Sequence, residues 1–337
     1  MLLLILLASA FVLSAAITYT LRHYALRVNL LDVPNARSSH ERPTPRGGGL
    51  SIVVVVMAGV AFTPLLTQQP SLIPPLALFG LTAITAIGYW DDHADVPARW
   101  RFAVHALAAA LILYSLGNVP AVPWWGGAIK LGLAGAVLAG IGLVWLVNLY
   151  NFMDGIDGIA AVEALSVLLG AMGVLLVQGR DLPIELPLIA AAVAGFLVWN
   201  WPPARIFMGD AASGFLGALM GVMALVMSNQ PGMNLWCWLI LLAVFITDAT
   251  MTLLRRMARG ERWYQAHRSH AYQRLSRRAG RHWPVTVGVA AVNMFWLAPL
   301  AWAAASLPST ALFIALLAYL PLVLTGCWVG AGLPDDR

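Results

Sequence analysis

The sequence predicts an all-α polytopic membrane protein with about eleven transmembrane helices. Only 10% of its 337 residues are Asp, Glu, Lys or Arg, against roughly 25% in an ordinary soluble domain. Hydrophobic residues make up 60% of the chain, and the mean hydropathy is +0.79. Because so few charges cannot cover the surface of a water-soluble fold of this length, the bilayer must be the solvent. We treat residues 1–337 as a single integral-membrane domain.

Eleven apolar segments approach the length of about 20 residues that a helix needs to cross a bilayer core. They lie near residues 1–20, 50–68, 73–90, 102–117, 128–149, 158–178, 185–200, 212–228, 233–254, 284–304 and 308–330. The first basic residue, Arg22, follows the first segment instead of preceding it. This order favours a retained first span over a cleaved signal peptide, with the N-terminus outside.

The basic residues predict the orientation of the spans. With a periplasmic N-terminus, the chain has a cytoplasmic C-terminus and cytoplasmic loops near residues 21–49, 91–101, 150–157, 201–211 and 255–283. These loops and the C-terminal tail hold 18 of the 20 Lys and Arg residues, and only Lys130 and Arg180 lie elsewhere. This is the positive-inside pattern. Because a shift by one span would destroy it, the pattern supports an odd number of spans.

Polar motifs occur only at the cytoplasmic side of this topology. They are DVPNARSSHERPTPRGGG, DDHAD, NLYNFMDGIDG, NWPPARIFMGDAASG and HRSHAYQR. Their shared location predicts one assembled site on that face. A transporter or lipid flippase is the non-enzymatic alternative, but a carrier is expected to place ionisable groups near the midplane of the membrane.

The DDHAD motif places two adjacent carboxylates, Asp91 and Asp92, at a membrane boundary. A bound Mg²⁺ or a proton would offset their repulsion, and one of them could act as a general base. The alternative is a solvated loop beside Arg99 and Arg101. The motif also fits the Asp-Asp-x-x-Asp pattern of membrane prenyltransferases, which is the rival enzyme. That class needs a second motif of the same kind, and NFMDGIDG fits poorly.

The NLYNFMDGIDG motif repeats polar residues at intervals of three: Asn148, Asn151, Asp154 and Asp157. Each step of three turns a continuous α-helix by about 300°, so the four groups would spread over half of its circumference. The two glycines of the motif favour a helix break or close approach of a ligand. Amides beside carboxylates suit a uracil edge, ribose hydroxyls or a metal-bound phosphate. Polar helix packing is the alternative.

The FMGDAASG motif surrounds Asp210 with small residues, so that a ligand can approach it. Its carboxylate is a candidate Mg²⁺ ligand, and the alternative is a cap on the following helix. Phe207 is placed to stack on a base. Asn200 ends the preceding span.

Two basic segments are candidates for contact with phosphate. In PTPRGGG, backbone N–H groups with Arg42 and Arg46 could cradle a phosphate, or the glycines could mark a plain loop. In the last loop, His267, Arg268 and His270 are site candidates, whereas other arginines there are equally explained by membrane topology.

These five motifs, in this order from about Asp32 to Arg278, resemble the polyprenyl-phosphate N-acetylhexosamine-1-phosphate transferases of glycosyltransferase family 4, relatives of the phospho-N-acetylmuramoyl-pentapeptide transferase. The resemblance implies ten or eleven helices, a bacterial inner-membrane location, a cytoplasmic active site and Mg²⁺, with Mn²⁺ as an alternative. It implies that a UDP-N-acetyl sugar and undecaprenyl phosphate give sugar-diphospho-undecaprenol and UMP. We expect no nucleic-acid partner and keep a homodimer open.

The resemblance also implies roles for individual residues. Asp210 matches the magnesium aspartate, and Asp91 and Asp92 match the aspartate pair assigned to deprotonating the lipid phosphate or organising the metal site. The nucleotide-sugar motif corresponds to Asn148, Asn151, Asp154 and Asp157, and the positions near uridine to Asn200 and Phe207. Two routes stay open: direct attack by the lipid phosphate, or a phospho-enzyme intermediate on one of the paired aspartates.

The last loop departs from the family pattern, which usually has histidines spaced as His-x-His. Here His270 takes the first position and Tyr272 the position of the next histidine. The departure leaves open whether His270 acts catalytically or helps to bind the pyrophosphate. This variant is similar to members that start O-antigen chains of lipopolysaccharide with sugars such as N-acetylfucosamine or N-acetylquinovosamine.

Overall fold

The computed structural model describes residues 1–34, 40, 42–261 and 267–334. The α-helices are α1 (Leu2–Arg27), α2 (Leu50–Thr67), α3 (Pro75–His93), α4 (Ala98–Leu116), α5 (Gly132–Met153), α6 (Ile159–Val177), α7 (Glu185–Asn200), α8 (Asp210–Met227), α9 (Leu235–Leu241), α10 (Ala243–Ala258), α11 (Ala271–Ala279), α12 (Trp283–Val292), α13 (Ala298–Ser306) and α14 (Ala311–Val329). A π-helical turn, Asn293–Leu297, joins α12 to α13. The predicted all-α class is confirmed.

Two short antiparallel hairpins interrupt the helices. The first pairs β1 (Leu31–Asp32) with β2 (Thr44–Pro45), and the second pairs β3 (Val122–Trp124) with β4 (Gly127–Ile129). The first hairpin brings Asp32 and the PTPRGGG segment to the same end of the helix bundle as the FMGDAASG motif, because Phe207 donates its N–H to the Pro45 carbonyl over 2.8 Å.

All eleven apolar segments of the sequence are helical. Within the described ranges, seven helices are long and apolar enough to cross a membrane, or eight if the bent pair of α9 and α10 is one span. The axes of that pair differ by 73°. Helix α7 has only 16 residues, and α3 and α4 carry ionisable residues near one end. The chain is therefore polytopic, while eleven crossings, their orientation and the single-domain organisation stay predictions.

Helix α8 forms the centre of the bundle. Of its 18-residue apolar window 94% is buried, compared with 17% for α1. It packs against α3 and α5, and a side chain at Gly217 would collide with the backbone of Leu146 on α5. Small residues of this kind let membrane helices approach closely. The first residue of α8, Asp210, is therefore carried by the most enclosed helix of the protein.

The ends of α3, α5 and α7 meet around the start of α8. A Cβ atom at Gly88 of α3 would lie 2.6 Å from the carbonyl oxygen of Asp210. Asn151 of α5 donates its side-chain N–H to Ser213 Oγ over 3.3 Å, and Asn200 of α7 donates to the carbonyl of Ile206 over 2.9 Å. The motifs that are scattered in the sequence thus converge at one end of the bundle.

Two of the three glycines of PTPRGGG, Gly48 and Gly49, serve close packing. Gly48 donates its N–H to the Phe207 carbonyl over 2.9 Å, and Gly49 donates to the Met208 carbonyl over 3.0 Å. A side chain at Gly49 would also collide with Ala212 of α8. Both N–H groups therefore have protein acceptors in this structure, and contact of this segment with a phosphate stays a prediction.

Candidate active site

Two cavities open around the first turn of α8. The first has a volume of about 210 Å³, and we name it the polar cavity. Its polar lining consists of Asp32, His40, Arg46, Asp92, Asp154, Asp157, Asn200, Asp210, Gln273 and His282, and Phe207 supplies an aromatic wall. Seven of these residues were candidates from the sequence: Arg46, Asp92, Asp154, Asp157, Asn200, Phe207 and Asp210.

The second cavity is larger, about 590 Å³, and we name it the larger cavity. Its apolar walls include Ile84, Ala98, Phe102, Val147 and Phe152, and its polar lining consists of Asp91, Arg99, Arg101, His105, Asn148, Asn151, Asp210, His267 and His270. Asp210 lines both cavities. The predicted residues therefore divide between two adjoining spaces that share one carboxylate.

Asp92 caps the N-terminus of α8 from a neighbouring helix. Its Oδ1 accepts the N–H of Asp210 over 3.1 Å, and its Oδ2 accepts the N–H of Ala211 over 3.2 Å. Such a carboxylate satisfies unpaired N–H groups and is favoured by the helix dipole. The carbonyl of Asp92 also accepts a hydrogen bond from the Arg46 guanidinium. The cap that the sequence offered as an alternative role for Asp210 is supplied by Asp92, which leaves the Asp210 side chain at the cavities.

Asp91 has a different environment from its neighbour. Its Oδ1 accepts the N–H of Val96 over 2.9 Å, and its Oδ2 is hydrogen-bonded to Arg101. The same guanidinium nitrogen lies 3.8 Å from Oδ2 of Asp210. Arg101 therefore links the two carboxylates in the wall of the larger cavity. The third acid of DDHAD, Asp95, is exposed and lines neither cavity.

The helix break predicted in NLYNFMDGIDG is confirmed. Helix α5 ends at Met153, and Gly158 has φ +74° at the start of α6. Asn200 holds this break, because its Oδ1 accepts the N–H of Gly158 over 3.1 Å. Asn148 and Asn151, on the last turns of α5, line the larger cavity. The two aspartates, which lie in the break between α5 and α6, line the polar cavity instead.

Asp154 is the carboxylate with the most unfavourable charge environment outside the helices. Burial, together with the negative charges of Asp210, Asp92 and Asp157, raises the pKa of Asp154 well above its usual range. A cation in the polar cavity would reduce this repulsion and favour the ionised form. The neighbouring Asp157 differs, since its Oδ2 accepts the N–H of Ala204 over 3.0 Å and lies 3.1 Å from Nδ1 of His282.

The carboxylates of the polar cavity have the chemistry that Mg²⁺ requires. In the part of the chain that the structure describes, no group of three or more His, Cys, Asp or Glu side chains forms a complete metal site. Mg²⁺ sites commonly use only one or two carboxylates and complete the shell with water and substrate phosphates. Asp154 and Asp210 could supply such a pair, because Asp91 is paired with Arg101 and Asp92 caps α8. The donor set therefore fits the metal.

Asp248 of α10 organises residues 267–270, which we name the histidine segment. Its Oδ1 lies 3.2 Å from Nδ1 of His270 and accepts the N–H of Ala271 over 2.8 Å. Its Oδ2 accepts the N–H of Tyr272 over 2.9 Å. The segment before α11 is not helical, yet the rings of His267 and His270 stack with centroids 4.9 Å apart. An acid inside an apolar segment was the signal for this role.

The histidine segment presents an uncharged ring to the larger cavity. Burial, assisted by the neighbouring His270 and by the positive charge of Arg256, lowers the pKa of His267 to about 3. His267 is therefore neutral at pH 7. It can donate or accept a hydrogen bond with a ligand, but it contributes no positive charge. Arg268 is exposed and lines neither cavity.

Tyr272 supports the break after α5. It donates its hydroxyl hydrogen to the Phe152 carbonyl over 3.0 Å, and a side chain at Gly155 would collide with that hydroxyl. Tyr272, which occupies the position of the next histidine in the family pattern, thus packs from α11 against the break.

Several lining residues were not selected from the sequence. In the polar cavity they are Asp32, His40, Gln273 and His282, and in the larger cavity they are Arg99, Arg101 and His105. Arg99 and Arg101 follow DDHAD closely, which is a signal that sequence reasoning assigned to solvation. The contact of His282 with Asp157 joins residues 125 positions apart, so no local sequence pattern predicts it.

Comparison with known proteins places this geometry in context. Residues 75–228 match the family model described as glycosyl transferase family 4. A probable undecaprenyl-phosphate N-acetylglucosaminyl 1-phosphate transferase of Bacillus subtilis (strain 168) is 30% identical over 265 residues, covering 77% of this chain and 73% of the relative. The undecaprenyl-phosphate alpha-N-acetylglucosaminyl 1-phosphate transferase of Yersinia pestis is 30% identical over 284 residues, covering 79% and 75%. The decaprenyl-phosphate N-acetylglucosaminephosphotransferase of Mycobacterium tuberculosis (strain ATCC 25618 / H37Rv) is 29% identical over 332 residues, covering 87% and 80%.

Proposed function

This chain belongs to glycosyl transferase family 4, and on that premise we propose that it transfers an N-acetyl-sugar 1-phosphate from a UDP-sugar to a polyprenyl phosphate. The names of the relatives support the polyprenyl phosphate acceptor and the N-acetylated sugar. The UDP donor, undecaprenol as the lipid and the cytoplasmic face of a bacterial inner membrane are further parts of the proposal.

The observation that carries the proposal is that two chemically different cavities meet at Asp210. The larger cavity combines apolar walls with Arg99 and Arg101, which suits a lipid that ends in a phosphate. The polar cavity offers carboxylates, an amide and the ring of Phe207, which suit the hydroxyl, amide and base groups of a nucleotide sugar. A transfer between two such substrates requires their phosphates to meet at one point.

In the proposed reaction, an oxygen of the lipid phosphate attacks the sugar-linked phosphorus. The new P–O bond joins the sugar phosphate to the lipid, and the bond to the leaving UMP breaks. Arg101 would orient the lipid phosphate, since its guanidinium lies between Asp91 and Asp210. The lipid phosphate needs little help to lose a proton, because a phosphate monoester is largely ionised at neutral pH.

The contacts of the aspartate pair favour direct attack over a phospho-enzyme intermediate. The Asp91 carboxylate is engaged by Arg101 and a backbone N–H, and the Asp92 carboxylate accepts two N–H groups of α8. A nucleophile on either residue would first have to give up these contacts. The pair therefore has a positioning role in this proposal.

When bound at Asp154 and Asp210, Mg²⁺ would withdraw charge from the pyrophosphate and stabilise the leaving UMP. Through this ion, the two carboxylates would hold the donor's phosphates where the polar cavity meets the larger cavity. The most specific part of the proposal concerns the pathway. The departure of the last loop from the family pattern suggests that the enzyme starts an O-antigen chain with a deoxy-N-acetyl sugar.

The test is UMP release by purified protein with undecaprenyl phosphate, Mg²⁺ and a panel of UDP-N-acetyl sugars. We expect release with one or few donors, dependence on the lipid and on Mg²⁺, and a loss of at least about 1000-fold in Asp210→Asn. The control is Asp95→Asn, which changes an exposed acid of the neighbouring motif and should leave the activity within about twofold of wild type.

A comparison of Asp95→Asn with Asp92→Asn separates this function from the rival prenyltransferase. An Asp-Asp-x-x-Asp site needs Asp95 for its metal ions, so Asp95→Asn would then be as damaging as Asp92→Asn. Folded wild-type protein that releases no UMP with any donor, common or rare, would overturn the proposed function.

A further inference from the structure

One residue pair in the polar cavity has no role in the reaction described above. His282, in the connection between α11 and α12, places Nδ1 3.1 Å from Oδ2 of Asp157 and 3.3 Å from the backbone nitrogen of the same residue. Nδ1 donates to the carboxylate when it carries a proton and accepts the N–H when it does not. The imidazole is therefore attached to Asp157 in either tautomer. Their side chains are only 15% and 12% exposed.

Further contacts fix Asp157 from other directions. Ala204 donates its N–H to Oδ2 over 3.0 Å, and Thr286 on the first turn of α12 donates its hydroxyl hydrogen to the Asp157 carbonyl over 2.9 Å. The break between α5 and α6 has few hydrogen bonds of its own, such as that from the Ile159 N–H to the Ile156 carbonyl over 3.3 Å. Contacts from other elements therefore help to set its geometry, and among the described residues His282 is the side chain that contacts the Asp157 carboxylate.

The pair lies where the polar cavity adjoins a third, more open cavity of about 580 Å³. Both His282 and Asp157 line the two cavities, as do His40 and Phe207. The remaining walls of the third cavity include Arg42, Thr44, Arg281 and Trp283. At about 210 Å³ the polar cavity is smaller than the roughly 300–1000 Å³ of typical ligand sites. A nucleotide sugar must therefore extend beyond it, and the third cavity is an adjoining space that shares its lining.

We infer that His282 is a positioning residue for the nucleotide sugar. It holds Oδ2 of Asp157 so that Oδ1 is presented where the polar cavity meets the third cavity. There Oδ1 accepts a hydrogen bond from a hydroxyl or N–H group of the donor. The inference rests on the proposed function, because it assumes that the donor occupies the polar cavity. It adds a residue from outside the matched segment 75–228 to the donor site.

The test compares substitutions that keep or remove the hydrogen-bonding group next to Asp157. An Asn at this position places an amide near the location of Nδ1, whereas a Gln places its amide near the location of Nε2. We expect His282→Ala to raise the KM for the UDP-sugar about tenfold, with kcat and the KM for the lipid within about twofold of wild type. His282→Asn should recover most of the donor KM, and His282→Gln should recover less.

The matched control is His23→Ala, which removes a half-buried histidine of α1 that lies outside all three cavities. Its kinetic constants should equal those of wild type. If His282→Ala is not recovered in folded form, the comparison of His282→Asn with His282→Gln carries the test alone.

Two results would overturn the inference while leaving the proposed function intact. One is an unchanged donor KM in folded His282→Ala, and the other is equal impairment of the Asn and Gln variants. A fall in kcat at constant donor KM would also contradict a role in donor positioning. Failure of the proposed function is distinguishable, because wild-type protein would then release no UMP, and the inference would fall with it.

Discussion

The polar cavity and the larger cavity share Asp210, but they are built from different parts of the fold. The larger cavity is lined mainly by the sides of α3, α4 and α5. Its surface is therefore largely apolar, and Arg99 and Arg101 contribute long cationic side chains. The polar cavity is walled by connections and helix ends, where backbone groups and short polar side chains are available. In the proposed function, the lipid therefore binds to helix faces and the polar donor binds to helix breaks.

The NLYNFMDGIDG motif illustrates this division. Asn148 and Asn151 still belong to α5 and line the larger cavity, whereas Asp154 and Asp157 lie in the break and line the polar cavity. A motif that is continuous in sequence thus serves both sides of the site. Each of the following predictions changes one side and leaves the other as its internal control.

The largest effect is expected on the polar side from Asp154→Asn. The amide keeps the shape of the side chain but removes the negative charge that would bind a cation, so kcat should fall about 1000-fold. The affinity for the lipid phosphate, measured by titration without donor, should stay within about twofold of wild type. Because burial and like charges raise the pKa of Asp154, the charged form opposes folding at pH 7. The melting temperature should therefore rise.

Retention of more than about a tenth of wild-type turnover in Asp154→Asn would contradict this assignment, since loss of an essential charge in a water-poor site costs more. A fall in melting temperature would show that Asp154 stabilises the fold through contacts of another kind.

An intermediate effect is expected on the larger side from Asp248→Asn. The substitution removes an acceptor from the group formed by His270, Ala271 and Tyr272. We expect the free energy of unfolding to fall by about 2–3 kcal/mol because buried donors lose their partner. Displacement of the histidine segment should lower turnover by up to about 100-fold, while donor affinity, measured by calorimetry, stays unchanged.

The control for Asp248→Asn is a variant that loses stability far from the site. Asn234 caps α9 by accepting the N–H groups of Trp236 and Cys237. Asn234→Ala should cost about 1 kcal/mol of stability and leave turnover unchanged. Equal losses of turnover in the two variants would refute a specific role for Asp248.

The smallest effect is expected from a pair of aromatic substitutions, one on each side of Asp210. Phe207→Leu should raise the KM for the donor about fivefold, and Phe102→Leu should raise the KM for the lipid by a similar factor. Steady-state kinetics with each substrate varied in turn measures both values. If either variant changes both KM values, the two cavities do not bind separate substrates.

Much of the site was accessible from sequence because its residues stand out against an apolar background. Asp91, Asp92, Asp154, Asp157 and Asp210 are five of only 15 acids in the chain, and all five line a cavity. The break after α5 was also predictable, since polar residues at intervals of three do not share a face of a helix. Whether these residues bind the substrates assigned to them stays a prediction.

The sequence was a poorer guide to what each residue contacts. It offered a phosphate cradle at the PTPRGGG glycines, yet Gly48 and Gly49 pair with the segment before α8. It ranked Arg268 with the site histidines, yet the residue is exposed and lines neither of the cavities at Asp210. It also treated Arg101 as a solvated neighbour of the acids, although this side chain joins Asp91 to Asp210.

The sequence by itself determined the solvent of the protein, the helical class and the set of acids, because these depend on composition and on patterns within about 20 residues. Only the tertiary structure decided that Asp92 caps α8, that Asp248 holds the histidine segment and that His282 holds Asp157. These contacts join segments that lie between 22 and 125 positions apart in the chain. A local pattern shows that a polar group needs a partner, but the packing of the bundle decides which partner it meets.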